Sequence, residues 1–88
     1  MERTQLTYEQ INKTIPIILN KLRYRLKEKG YGTFASTHEI LGVLTEEYKE
    51  FVDAIQSGNQ DDIESELIDI AVGSIFGVVC LREKTVDW

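Results

Sequence analysis

Apolar residues fall into three stretches with helical spacing. In the first, Ile11, Ile15, Ile18, Leu19, Leu22 and Leu26 follow the 3.6-residue period. Thr7 with Gln10 three residues on is a capping-box pair that opens the helix, and Gly30 closes it. Pro16 falls inside the run. It either kinks one helix or sits in the first turn of a helix that starts near Ile15. The segment from Gly30 to Ala35 reads as a loop. In the second stretch Ser36 and Glu39 form another capping-box pair, and the helix runs to about Gln56 with Gly58 as its stop. The Gly58-Asn59 turn is short, so the third helix should return antiparallel. That helix starts near Gln60, with Asn59 as cap and Asp61 and Asp62 in its first turn, and ends near Glu83.

From Leu67 to Leu81 the third helix is apolar almost all round, the pattern of a buried helix. Gly73 and Gly77, one turn apart, predict the close approach of another helix, and Gly42 reads the same way. Residues 84–88 are expected to fray or to serve a contact between subunits. Trp88 either covers a neighbouring subunit or ends the chain loosely. The reading is all-α, one domain over residues 1–88, with about three helices. Two neighbours of this size cannot cover a helix apolar on every side. A four-helix-type core completed by oligomerisation, as a dimer or tetramer, is the simplest solution.

Composition supports this reading. A chain of 88 residues buries only about 60–65% of its unfolded surface, so its own core is small. Ten basic residues against 15 acidic ones leave a net charge of −5, which argues against a nucleic-acid polymer as partner, since that needs a basic face. The single cysteine, Cys80, excludes an internal disulfide and reads as a small core residue. No charged-then-apolar leader is seen, and the longest apolar run is too short for a bilayer. The expectation is a cytoplasmic protein without membrane contact.

The informative feature is where the acids fall. At about 100° per residue, Glu47 and Glu50 sit in the middle of an apolar arc formed by Ile40, Val43, Leu44, Phe51 and Ile55. Glu46 lies at its edge, while Lys49 and Asp53 point to water. On the third helix Ile63, Ile70, Gly73 and Gly77 cluster around Glu66, with Asp69 beside it and Asp62 one turn earlier. Each of two antiparallel helices thus aims an i, i+3 carboxylate pair into an apolar interface, and neither arc carries Lys or Arg. Four buried like charges need compensation. An all-carboxylate set without Cys or His selects Mg²⁺, or Mn²⁺, over Zn²⁺. It also differs from di-iron bundles, which use Glu-x-x-His.

Glu46-Glu47-Tyr48-Lys49-Glu50, a gap of fifteen residues, and then Glu66-Leu67-Ile68-Asp69 resembles the two-part motif of the MazG-like all-α nucleoside triphosphate pyrophosphohydrolases. The approach from Phe34 to Leu44 looks like the entry to that family's first motif helix. The resemblance covers roughly residues 15–83. It implies Mg²⁺-dependent cleavage of a nucleotide between its α and β phosphates, giving a nucleoside monophosphate and pyrophosphate, in dimers or tetramers. Carried over by position, Glu47, Glu50, Glu66 and Asp69 become metal ligands, and Glu46, with Glu47, the catalytic carboxylates. Family members often place Lys, Asn or Arg near the second motif, whereas residues 70–81 here are nearly all apolar. Phosphate-binding cations are therefore expected from Lys21, Arg25 and Lys29, from Arg82 or Lys84, or from a partner subunit.

His38 and Phe34 remain open to two readings each. His38 is an exposed first-turn residue or a contact at the mouth of the site. Phe34, like Tyr31, stacks on a base or packs down on the domain. The rival functions are an all-α dUTP, dCTP or phosphoribosyl-ATP pyrophosphohydrolase on the same scaffold, and a non-catalytic oligomeric binding module.

Overall fold

The computed structural model describes residues 2–87 and consists of three helices: α1 (Tyr8–Lys29), α2 (Thr37–Ser57) and α3 (Gln60–Arg82). Local chemistry fixes their ends. The Thr7 hydroxyl accepts from the Gln10 N–H at 3.1 Å, and the Gln10 side chain accepts from the Thr7 N–H at 2.9 Å, which completes the capping box. Pro16 lies inside one continuous helix, so the first of the two readings is nearer, with its ring removing the bond to the Asn12 carbonyl. Ser36 caps α2 by accepting from the Glu39 N–H. The return arm reaches one residue further back, where Glu39 Oε1 accepts from the Ala35 N–H at 3.3 Å. Gly58 takes the left-handed conformation (φ 74°) that a side chain resists, and α3 starts at once under the Asn59 cap.

The α2–α3 hairpin is antiparallel, and its register can be read from the glycines. A Cβ on Gly73 would meet Leu44 Cδ2 at 3.2 Å, and one on Gly77 would meet Ile40 Cγ2 at 3.5 Å. Both positions therefore serve the close packing expected of them. Within the chain Gly42 meets no such neighbour, since nothing lies within 4 Å of a Cβ built there. α1 runs alongside α3, and no Cα of α1 comes within 8 Å of one in α2.

The chain end corrects one expectation. Residues 84–87 are not frayed. The N–H and hydroxyl of Thr85 both donate to the Cys80 carbonyl, and the Asp87 N–H donates to Ala35 at 2.8 Å. Trp88 lies outside the described residues.

The core is thin. Ala54, Val72 and Cys80 are the buried hydrophobic residues among those described. The all-round apolar pattern of α3 overstates its burial within one chain, because Leu67, Val78, Val79 and Leu81 remain about half exposed. No helix among the described residues is long and apolar enough to cross a membrane.

Candidate metal and nucleotide site

The antiparallel register that seats Leu44 against Gly73 also brings Glu47 opposite Glu66 and Asp69. One carboxylate oxygen from each lies within 4.8 Å of the others. Asp69 is well covered, with 12% of its side chain exposed. Glu47 Oε2 and Glu66 Oε2 are buried without a hydrogen-bond partner. A buried acceptor left unpaired costs more than an ordinary hydrogen bond gains, and a charged one costs more still. The set therefore fits a hard divalent cation by donor type, by spacing and by its two orphaned oxygens.

Electrostatics describes the same crowding. Burial first, then the charges of Asp69, Glu50 and Glu66, push the Glu47 carboxyl above the usual carboxylate range, and Arg25 partly opposes them. Glu66 is raised by burial first, and then by the neighbouring carboxylates of Glu50, Asp69 and Asp62. One cation reaches the cluster from outside both acidic helices. Arg25 of α1 places Nη2 at 3.2 Å from Asp69 Oδ1.

Beside the acids lies a cavity of about 290 Å³ between α1, the loop after it, α2 and α3. Leu22, Leu26, Val43 and Val72 form apolar walls, and Phe34 and Phe76 close one side. Glu47 and Asp69 line the same cavity, as do Arg25 and Lys29.

Most of the residues singled out in the sequence converge here. Glu50 sits beside Glu66 but outside the three-carboxylate cluster, and opens on a hollow shared with Asp53 and Asp62. Glu46 is exposed and also outside the cluster. Phe34 packs down on the domain, its ring edge-to-face with Phe76 at 5.3 Å, and still lines the cavity. Lys21 lies one turn before Arg25, over the Tyr24 ring, and lines a different hollow between α1 and α3. His38 is exposed in the first turn of α2, about 14 Å along the axis from Glu47 at 1.5 Å per residue. It does not line the cavity.

Sequence reasoning missed two contacts. Arg25 was expected as a phosphate contact, not as the partner of Asp69. Its i, i+4 spacing with Lys21 and Lys29 was the available signal. Phe76 was read only as part of an apolar run, although a lone aromatic among aliphatics marks a place where a ring is wanted.

Residues 35–86 match the MazG nucleotide pyrophosphohydrolase domain, a span that includes all five motif acids and leaves α1 outside. No curated protein and no solved structure matches the chain. With more than half of its length matched, and the acids of both motif halves facing one another across α2 and α3, the chain belongs to the MazG nucleotide pyrophosphohydrolase family.

Proposed function

We propose that the protein hydrolyses a nucleoside or deoxynucleoside triphosphate between its α and β phosphates, with Mg²⁺ or Mn²⁺, in the cytoplasm. The observation that carries this reading is the cluster of Glu47, Glu66 and Asp69 with its two unpartnered buried oxygens, set against an apolar cavity of about 290 Å³. Glu47, Glu66 and Asp69 would hold the cation, with Glu50 reaching it from beside Glu66. The cation supplies neutralisation of the phosphate charge and a water more acidic than bulk water.

The chain's own groups do the rest. The apolar walls and the Phe34–Phe76 pair take the base and exclude water around it. Arg25 and Lys29, on the cavity wall, face the phosphate chain. Water attacks the α phosphorus, the bond to the bridging oxygen breaks, and pyrophosphate leaves. Glu46 precedes Glu47 in the motif and is exposed outside the cluster, so its carboxylate would be free of the cation to accept the proton, with Glu47 as the inner carboxylate. His38 and Lys21, outside the cavity, would act only on parts of the nucleotide that extend past it.

The acting form is a homo-oligomer. The chain exposes 7247 Å², whereas a compact monomer of 10.1 kDa exposes about 5,300 Å². The excess, about 2,000 Å² per chain, gives about 4,000 Å² for a pair, within the range of obligate homodimers. Half-exposed Leu67, Val78 and Leu81 on α3, with Ile11 and Ile15 on α1, supply apolar surface to cover. Light scattering on the eluting protein should give a dimer or tetramer, and a monomer at micromolar concentration would refute this.

The activity test is product analysis with a panel of NTPs and dNTPs and Mg²⁺. Monophosphate with pyrophosphate, abolished in Glu66→Gln, is expected. Diphosphate with orthophosphate, or no turnover by the folded oligomer on any nucleotide, would overturn the reading.

A further inference from the structure

We propose that Arg25 is an exchangeable counter-ion: it holds Asp69 while the cation site is empty, and it yields Asp69 to the arriving divalent cation and turns to the nucleotide's phosphates. This rests on the cation-binding reading above.

Four observations support it. First, the pair is held by one nitrogen, Nη2 to Oδ1 at 3.2 Å, and not by the two-pronged grip that makes arginine–carboxylate pairs strong. Second, the two partners differ in freedom. Asp69 is 12% exposed, in the middle of α3 on the face turned to α1 and α2, whereas Arg25 is 32% exposed on a helix with no Cα within 8 Å of α2. The guanidinium is the group that can move. Third, Arg25 reaches only one of the three clustered carboxylates. Glu47 Oε2 and Glu66 Oε2 stay unpartnered with the pair formed, so the guanidinium does not complete the site. Three carboxylates and one guanidinium leave a local charge of −2, and Glu50 beside Glu66 makes it more negative, so a divalent cation is called for even with Arg25 in place. A cation seated there would stand against Arg25 as a like charge within a few ångströms of it, and the two would repel. Fourth, Arg25 lines the apolar cavity, where a fork of N–H donors released from Asp69 meets phosphate oxygens in the geometry it suits.

The exchange makes the empty site cheaper to keep folded and links cation entry to the appearance of a phosphate donor. It also assigns the task to α1, which lies outside the span matching the family.

The test is Mn²⁺ binding to the full chain without nucleotide, read from the paramagnetic resonance signal of free Mn²⁺, for wild type and Arg25→Gln. Loss of the competing charge should tighten Mn²⁺ binding by about tenfold, while KM for the preferred nucleotide at saturating Mn²⁺ rises by about tenfold or more. If Arg25 instead only orients Asp69, its loss should weaken metal binding by about 10–100-fold. Weaker or unchanged Mn²⁺ binding in Arg25→Gln, with wild type binding normally, overturns this inference alone. Absence of Mn²⁺ binding by wild type overturns the cation reading as well. A measurement on the unmutated protein guards against misfolding of the variant. The Arg25 Nε–H resonance should shift on titration with Mg²⁺ and shift again with inorganic triphosphate, and a resonance unmoved by Mg²⁺ refutes the exchange.

Discussion

Glu47→Gln should make the cation-free protein more stable while removing its response to the cation. Glu47 has two carboxylates with oxygens within 4.8 Å of its own. At that distance two like charges repel by about 0.9 kcal/mol in bulk water and by about 3.5 kcal/mol at an effective dielectric constant of about 20. The site is partly open to solvent and Arg25 neutralises some of Asp69, so the lower part of the range applies. The amide keeps the shape of the side chain, removes one of the three charges and offers N–H donors to Glu66 or Asp69. A net gain of about 1–2 kcal/mol follows, or roughly 5–15 °C in Tm for a chain of this size. In wild type, Mg²⁺ at about 100 times its Kd should add about 2.7 kcal/mol by mass action. The two melting curves should therefore exchange order: the variant higher in EDTA, wild type equal or higher in Mg²⁺. Thermal unfolding by circular dichroism at fixed protein concentration reads both conditions, and the fixed concentration matters because assembly also stabilises. A variant that melts below wild type in EDTA and keeps the full Mg²⁺ gain would refute the reasoning.

Three further outcomes are expected. Because Glu47 and Glu66 are raised in the folded state, folding takes up protons at these sites, and the stability gained is present in mild acid and lost as pH rises through the raised values. The cation-free Tm should climb as pH falls from neutral towards the ordinary carboxylate range more steeply in wild type than in Glu47→Gln/Glu66→Gln, and equal slopes would contradict this. Gly58→Ala places a side chain in open space but at φ 74°, so conformation alone should cost about 1 kcal/mol and roughly 4–8 °C with no change of products, and an unchanged Tm would sink that account. Phe34→Leu removes the edge-to-face contact with Phe76 at 5.3 Å, which should cost about 1 kcal/mol and raise KM more than it lowers kcat; steady-state kinetics giving an unchanged KM would take Phe34 out of the cavity's binding role.

Much of the fold was legible in the sequence because helix ends are decided within a few residues. Thr7–Gln10, Ser36, Gly58 and Asn59 act through their own neighbours, and each does in the structure what its position announced. The pairing of Glu47 with Glu66 and Asp69 was legible for a related reason, since a two-residue turn leaves the α2–α3 hairpin almost no choice of register. What depended on the crossing of non-adjacent elements was not legible. Arg25 meets Asp69 across 44 positions, and no local pattern fixes how α1 lies on α3. The same limit explains Glu50, which angular position alone put beside Glu47 and which the structure sets one step outward, next to Glu66. For α3, an apolar pattern reports what a helix will eventually cover, not what one chain covers alone.

The attachment of α1 to a single neighbour has a kinetic meaning. One wall of the cavity hangs on contacts with α3, while the α2–α3 hairpin carries the glycine-spaced packing and the motif acids. Pro16 further divides the hydrogen-bond ladder of α1. The cheapest opening of the molecule is then the undocking of α1, with the hairpin intact. Amide protons of α1 should exchange before those of α3 around Val72 and Cys80, with a bound nucleotide closing that gap. Substrate entry and product release would then proceed through partial unfolding of one helix, at a rate set by how often α1 lets go.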